Sequence, residues 1–295
     1  MKKVNRIIYS LLVLALFSCE KEIQYEGEGK DPVLVLNGIQ ENDSTFKIYL
    51  ERSFFFLSSE GKDDKYIETG ATVTLTNLTT GQVFTMNAST IDNVYEFPFT
   101  TSPNQKFKIE VSHPDYETIS SEMTTIPKVS LLDVDTSSFS VDGGSKRKKA
   151  ILNWNDPVGE NFYLVQVFSY DSLYNYTNTQ YFACADPVFE DGESNTGINN
   201  GNNEYEEIYF NDVLFEGQQK KLEIDFPDYY AQDTTQNSVK YTYNLICMDK
   251  ATYQYFISVR KSANSGFFTE PVKVYSNITN GFGVFSSKNT SKITK

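Results

Sequence analysis

Histidine is almost missing: His113 is the single one in 295 residues. Any Ser-His-Asp relay or histidine-ligated metal would have to be built around it, and it stands in Ser112-His113-Pro114-Asp115, which reads as a surface turn. Cysteine occurs three times, as Cys19, Cys184 and Cys247, and no two share the close spacing of a zinc knuckle. No glycine-rich loop has the pattern that cradles a phosphate. No apolar run reaches the roughly 20 residues that a membrane-crossing helix needs. Basic residues are short as well, 26 Lys and Arg against 39 Asp and Glu, for a formal net charge of −13. That surplus repels phosphate backbones, so no nucleic-acid partner is expected. These absences leave no motif for a cofactor, a metal or a catalytic residue. A pair of carboxylates is the one hydrolytic device that composition permits, and no spacing selects a pair.

The N-terminus carries the grammar of an export signal. Lys2, Lys3 and Arg6 precede an apolar run from Ile7 to Phe17, and Ser18 stands directly before Cys19. Leu16, three before that cysteine, completes the pattern of a bacterial lipobox, in which the thiol is acylated and the chain is cut to leave Cys19 first. Phe17 is bulkier than the usual residue at its place, and the alternative is an ordinary signal peptide with an incidental cysteine. Each buried methylene of an acyl chain contributes about 0.8 kcal/mol, so more than one chain gives stable attachment to a membrane without a spanning helix. Residues 1–18 are then the signal and residues 19–31 a charged tether with little to bury. Within the tether, Glu20-Lys21-Glu22 partly matches the lysine-plus-acid signals that send lipoproteins of the Bacteroidota to the cell exterior.

Beyond the tether the chain reads as all-β: two β-sandwich modules with one short helix near the C-terminus. Over residues 32–127, Val33–Gly38, Phe46–Leu50, Ala71–Thr76, Val83–Met86, Tyr95–Phe97 and Lys106–Val111 are short runs with strand alternation, divided by Asn, Gly and Pro. Such spacing predicts a sandwich of immunoglobulin size, similar to the regulatory-type module that accompanies carboxypeptidases and outer-membrane receptors. Ser53-Phe54-Phe55-Phe56-Leu57 breaks the alternation and is expected to be covered, by the second module or by a partner. Ile126-Pro127 closes the first module. The second, residues 128–295, opens with Val129–Val134. The turn from Asp142 leads into Lys146-Arg147-Lys148-Lys149, read as a solvated hairpin tip with a docking spot for an acidic neighbour as the alternative. Ala150–Pro157 followed by Asn161–Val167 resembles two strands of a fibronectin type III sandwich, with Trp154 in the core.

The Asn/Gly-rich loop 191–203 invites a calcium reading, but counting from Asp191 places Thr196 where an EF-hand needs glycine and Asn202 where it needs glutamate. After a strand from Tyr241 to Cys247, Asp249 is a natural N-cap, and Tyr253, Phe256 and Ile257 recur at helical spacing, which predicts a helix over 250–262. Once Cys19 is lipidated, Cys184 and Cys247 remain. Either they pair as a disulfide, constraining the unfolded chain by roughly 4 kcal/mol, or they are two separately buried thiols.

Several segments occur in an order that resembles one family. They are Cys19-Glu20-Lys21-Glu22, the Gly70-Ala71 strand, Asn155-Asp156-Pro157 before Asn161-Phe162-Tyr163, Asp186-Pro187-Val188-Phe189, Phe210 to Gly217, and Pro271 to Phe285 with its Ser-Asn-Ile-x-Asn-Gly-x-Gly-x-Phe ending. That family is an uncharacterised group of Bacteroidota outer-membrane lipoproteins, a domain of unknown function whose genes typically lie beside those of TonB-dependent transporters. The resemblance implies a lipid-anchored protein facing the cell exterior and a TonB-dependent transporter as partner, with no catalytic residues to carry over. The expected function is a non-catalytic accessory in nutrient capture. A free-standing glycan- or peptide-binding protein using surface tyrosines and a carboxylate-pair hydrolase are the alternatives.

Overall fold

Period-two burial organises nearly every element of the computed structural model, which describes residues 31–54, 70–88, 94–141, 145–189, 204–228, 239–263 and 272–295. The signal segment, Cys19, most of the tether, Phe55–Leu57, the turn at 142–144 and the loop 191–203 lie outside the described residues. In strand β1 (Leu34–Glu41) every second side chain is buried, and in β6 (Lys106–His113) Phe107, Ile109 and Val111 alternate with polar residues. A pleated strand sends such residues to one face, so each strand must lay that face on another layer.

Two cores result. The first is enclosed by β1, β2 (Thr45–Arg52), β5 (Val94–Thr100) and β15 (Phe282–Thr294) together with β3 (Thr72–Asn77), β4 (Gln82–Ala88), β6 and β7 (Tyr116–Thr124). Strand β4 turns the corner between the layers, pairing with β3 through residues 82–86 and with β5 through residues 87–88. The second core lies between β10 (Phe162–Asp171), β12 (Glu207–Asn211), β14 (Val239–Met248) and a three-stranded sheet in the order β13 (Gln219–Pro227), β9 (Lys146–Asn155), β8 (Leu131–Ser140). Trp154 is fully buried there against Tyr163, Phe210 and Phe215, as expected of a core indole. Short β11 (Tyr176–Thr179) pairs with the end of β10.

The all-β sandwich layering and the helix near the C-terminus, the one α-helix among the described residues, thus match the sequence reading. Helix α1 (Lys250–Ala263) covers the outer face of β10, β12 and β14, laying Tyr253, Phe256 and Ile257 on Phe162, Leu164, Tyr209, Ile246 and Met248. Asp249 caps it, with Oδ1 accepting from the Thr252 N–H at 2.8 Å. Its Oδ2 accepts from the Ser287 N–H at 2.9 Å, which ties the helix start to β15.

Strand β15 joins the two halves. Its first part runs parallel to β1, from Val35 opposite Phe282 to Glu41 opposite Lys288, and its second part pairs antiparallel with β14 as far as Thr242 opposite Thr294. Ile278 and Phe285 therefore pack in the first core although they stand at the far end of the chain. Apart from Ile278 and Phe285, the first core is built from residues before Ile126-Pro127 and the second from residues after it, and a single 12-stranded sheet passes through both.

One sequence reading needs correction. Lys146-Arg147-Lys148-Lys149 is not a solvated hairpin tip but the first part of β9, flanked on both sides by β8 and β13. Three of its charges meet acids: Arg147 with Glu204 and Asp225, Lys148 with Asp228 at 3.6 Å, and Lys149 with Glu223 at 2.6 Å. With those charges neutralised, the run offers little to an acidic neighbour.

Candidate functional site

His113 serves a turn. In the tight connection from β6 to β7 its Nδ1 accepts the Asp115 N–H at 3.1 Å, and its ring lies on Tyr116 with centroids 4.9 Å apart. Among the described residues no cluster of three or more His, Cys, Asp or Glu could hold a metal ion.

Three acids gather where the loop after β9 meets the turn after β12. Asp156, buried beside Trp154, accepts from the Tyr163 hydroxyl and from the Gly217 N–H at 2.7 Å. Asp212 accepts from both the backbone N–H and the side-chain amide of Asn161, at 2.9 and 3.0 Å. Glu216 accepts the Gly159 N–H at 3.3 Å. Burial raises the pKa of both Asp156 and Asp212 above the usual carboxylate value, and the neighbouring acids push the same way. Burial and the Asp156 carboxylate drive the Tyr163 hydroxyl strongly upward too. These carboxylates lash the loop at 156–161 to the turn at 212–217, with both oxygens of Asp156 and one each of Asp212 and Glu216 bonded there. The motif segments Asn155-Asp156-Pro157, Asn161-Phe162-Tyr163 and Phe210 to Gly217 meet in that one knot.

The terminal motif forms a second knot. Asn280 has a left-handed φ of 61°, and Gly283 one of 106°. A Cβ on Gly281 would lie 2.6 Å from the Leu34 carbonyl oxygen, and one on Gly283 would lie 2.0 Å from that of Leu36. Both glycines are required because β15 approaches β1 backbone to backbone. The segment before β15 is held as well: Thr279 exchanges backbone hydrogen bonds with Ser120, and the Ser121 hydroxyl donates to the Asn277 carbonyl at 2.8 Å.

Of the two cysteine readings, the structure shows the separate thiols. Cys247 is buried in the second core, and Cys184 packs at its rim with its thiol donating to the Glu223 carbonyl at 3.2 Å. Burial pushes both thiols up to about 12. Neither is a nucleophile at neutral pH. Cys19 is outside the described residues.

Clefts among the described residues could hold a ligand. Where β1 ends and β15 continues alone with β14, a polar cleft of about 590 Å³ opens at the meeting of the two cores, with Glu41, Asp43, Thr101, Lys128, Asn244 and Lys292 in its lining. The side-chain oxygen of Asn244 is buried without a hydrogen-bond partner among the described residues. A second pocket of about 330 Å³ lies between the last turns of α1 and the sheet. The exposed tyrosines Tyr170, Tyr174 and Tyr176 belong instead to the β10–β11 hairpin and line neither cleft. Sequence reasoning missed both clefts because their linings come from strands far apart in the chain. No helix among the described residues is long and apolar enough to cross a membrane.

A family described as a domain of unknown function (DUF4249) matches residues 20–294. No curated protein matches the chain.

Proposed function

The chain belongs to the DUF4249 family, a domain of unknown function that begins one residue after Cys19; from that premise we propose that it is a lipid-anchored outer-membrane protein acting as a non-catalytic accessory of a TonB-dependent transporter in nutrient capture. The observation that carries this reading is the position of Leu16-Phe17-Ser18-Cys19 immediately before the matched domain. An acylated Cys19 leaves a short charged tether ahead of β1, which keeps the folded part within reach of the membrane and of proteins embedded in it. Glu20-Lys21-Glu22 favours the cell exterior. The engagement of Asp156, Asp212 and Glu216 within their own loops supports a binding role over hydrolysis.

The 590 Å³ cleft favours a second reading, a free-standing binder of small polar ligands such as glycans or peptides. Affinity purification of the tagged full-length protein from detergent-solubilised membranes separates the two. The accessory reading expects a transporter to co-purify at near-equal amount, whereas recovery of the protein alone under mild detergent contradicts it.

A further inference from the structure

Three aliphatic side chains stand out into solvent where the loop before β10 meets the turn after β12. Val158 of the loop is 89% exposed, and Val213 and Leu214 of the turn are 73% and 58% exposed. The two tips adjoin, since a Cβ on Gly217 of the turn would lie 3.3 Å from a Val158 methyl. Single apolar side chains on a surface are ordinary, but three gathered on adjoining tips mark a place of contact.

The tips close their own hydrogen bonds. The N–H groups of Gly159, Asn161 and Gly217 donate to the carboxylates of Glu216, Asp212 and Asp156. The Val213 N–H donates to the Asn211 side chain at 3.3 Å, and the Phe215 N–H to the Asp212 carbonyl at 2.7 Å. The Asn161 amide donates to the carbonyls of Pro157 and Gly159 at 2.8 and 2.7 Å. Beside the tips, Glu160 is paired with Lys250 at 3.1 Å. A backbone group that leaves water without a partner is costly, so loops bonded in this way can leave water cheaply.

Strand direction sets where the tips point. β1 pairs parallel with β15, β15 antiparallel with β14, and β14 antiparallel with β10, so β1 and β10 run the same way. β12 runs against β10, which brings the turn after β12 beside the loop before β10. Both tips therefore lie at the end of the sheet from which β1 sets out. Cys19 precedes Leu34, the first residue of β1, by 15 positions, a stretch of chain that spans at most about 50 Å. The chemistry of the tips separates a lipid from a protein as their partner. Protein interfaces draw their energy from Trp, Tyr and Arg, with Leu and Val under-represented, and they need a surface of matching shape. Hydrocarbon accepts a protruding Val or Leu without one.

We propose that Val158, Val213 and Leu214 form a membrane foot, which enters the lipid of the bilayer that holds the anchor and gives the protein a second point of attachment. The proposal rests on the lipid anchor of the proposed function and not on a transporter. Two attachment points fix the orientation of the protein on the bilayer, which one acylated tether leaves free.

The test supplies the anchor chemically, so that it reads the foot whether or not cells acylate Cys19. The mature chain, residues 19–295, is coupled through Cys19 to a maleimide lipid in vesicles of phosphatidylethanolamine and phosphatidylglycerol, with or without bromine on the acyl chains to quench tryptophan. Leu214→Trp places a reporter on the foot, and Tyr174→Trp places one on the β10–β11 hairpin at the other end of β10. Trp154, the single native tryptophan, is buried and gives a constant background. Brominated lipid should quench the emission added by Leu214→Trp and leave that of Tyr174→Trp unchanged. Val158→Asp with Val213→Asp should lower the ratio of inserted to free foot by at least about tenfold. The substituted positions are exposed, so each variant should melt as the parent does. Equal quenching at the two reporters, or none at Leu214→Trp, overturns the proposal. In the second case, shielding of that tryptophan from acrylamide in detergent-solubilised membranes would assign the tips to a protein partner. A quenched Leu214→Trp with an unacylated Cys19 in cells would strike the anchor and keep the foot.

Discussion

The side-chain amide of Asn277 closes on the backbone of Phe285 from both sides: Nδ2 donates to the Phe285 carbonyl at 2.8 Å, and Oδ1 accepts the Phe285 N–H at 2.9 Å. One side chain thus takes the place of a neighbouring strand. The Phe285 ring is thereby fixed in the first core, where it meets Phe46 at 6.1 Å. Asn277→Ala removes both bonds and should lower the unfolding free energy by about 2 kcal/mol. Asn277→Asp, which keeps the acceptor but sets a carboxylate against the Phe285 carbonyl, should lose at least as much. Urea unfolding followed by tyrosine and tryptophan fluorescence measures both.

Gly283 supports the same junction by having no side chain. Alanine there combines a left-handed backbone with a Cβ driven into the Leu36 carbonyl. Gly283→Ala should cost about 3 kcal/mol or more and break the parallel pairing of β1 with β15. Gly81 also has a positive φ, 77°, but nothing within 4 Å of an added Cβ, so Gly81→Ala isolates the backbone effect and should cost less. Thermal melting of the two variants side by side gives the comparison.

This junction shows where sequence reasoning stops. The alternation in Leu34–Leu36 and Phe107–Val111 is local, as are the Asp249 cap and the helical spacing of Tyr253, Phe256 and Ile257, so the class of fold and the helix were legible. The parallel pairing of β1 with β15 joins residues some 250 positions apart, and no local pattern announces it. Strand β7 escaped notice because its buried positions include Ser121 beside Ile119 and Met123. The basic start of β9 looked like a surface tip because the acids that neutralise it, Glu204, Glu223, Asp225 and Asp228, come from a distant part of the chain. The pocket at the end of the helix was hidden for the same reason, since Arg260 of α1 and Glu207 of β12 meet only in space.

Asp156 predicts an acid dependence of unusual sign. Its folded pKa lies above the unfolded value of 3.8 because burial disfavours the charge. Its contribution is therefore fully present below 3.8 and is lost as pH rises through the raised value. Asp156→Asn removes that titration. Relative to the variant, the parent protein should gain stability as pH falls from 7 towards 4, the reverse of what a salt-bridged carboxylate gives. Denaturant unfolding of both at several pH values tests this, and a difference constant with pH would refute it.

The two thiols should react slowly in the native state. With both pushed up to about 12, Cys184 and Cys247 should alkylate more slowly at pH 8 than in denaturant, buried Cys247 more slowly than half-buried Cys184. A reducing agent should leave the unfolding midpoint unchanged. A midpoint that falls on reduction would reveal a bond between them.

The anchor is most directly tested by fractionating cells that express either the parent chain or Cys19→Ser. The parent should be found in the outer-membrane fraction, and the variant should leave the membrane while keeping the same melting temperature. A Cys19→Ser protein that stays in the outer membrane would contradict the account.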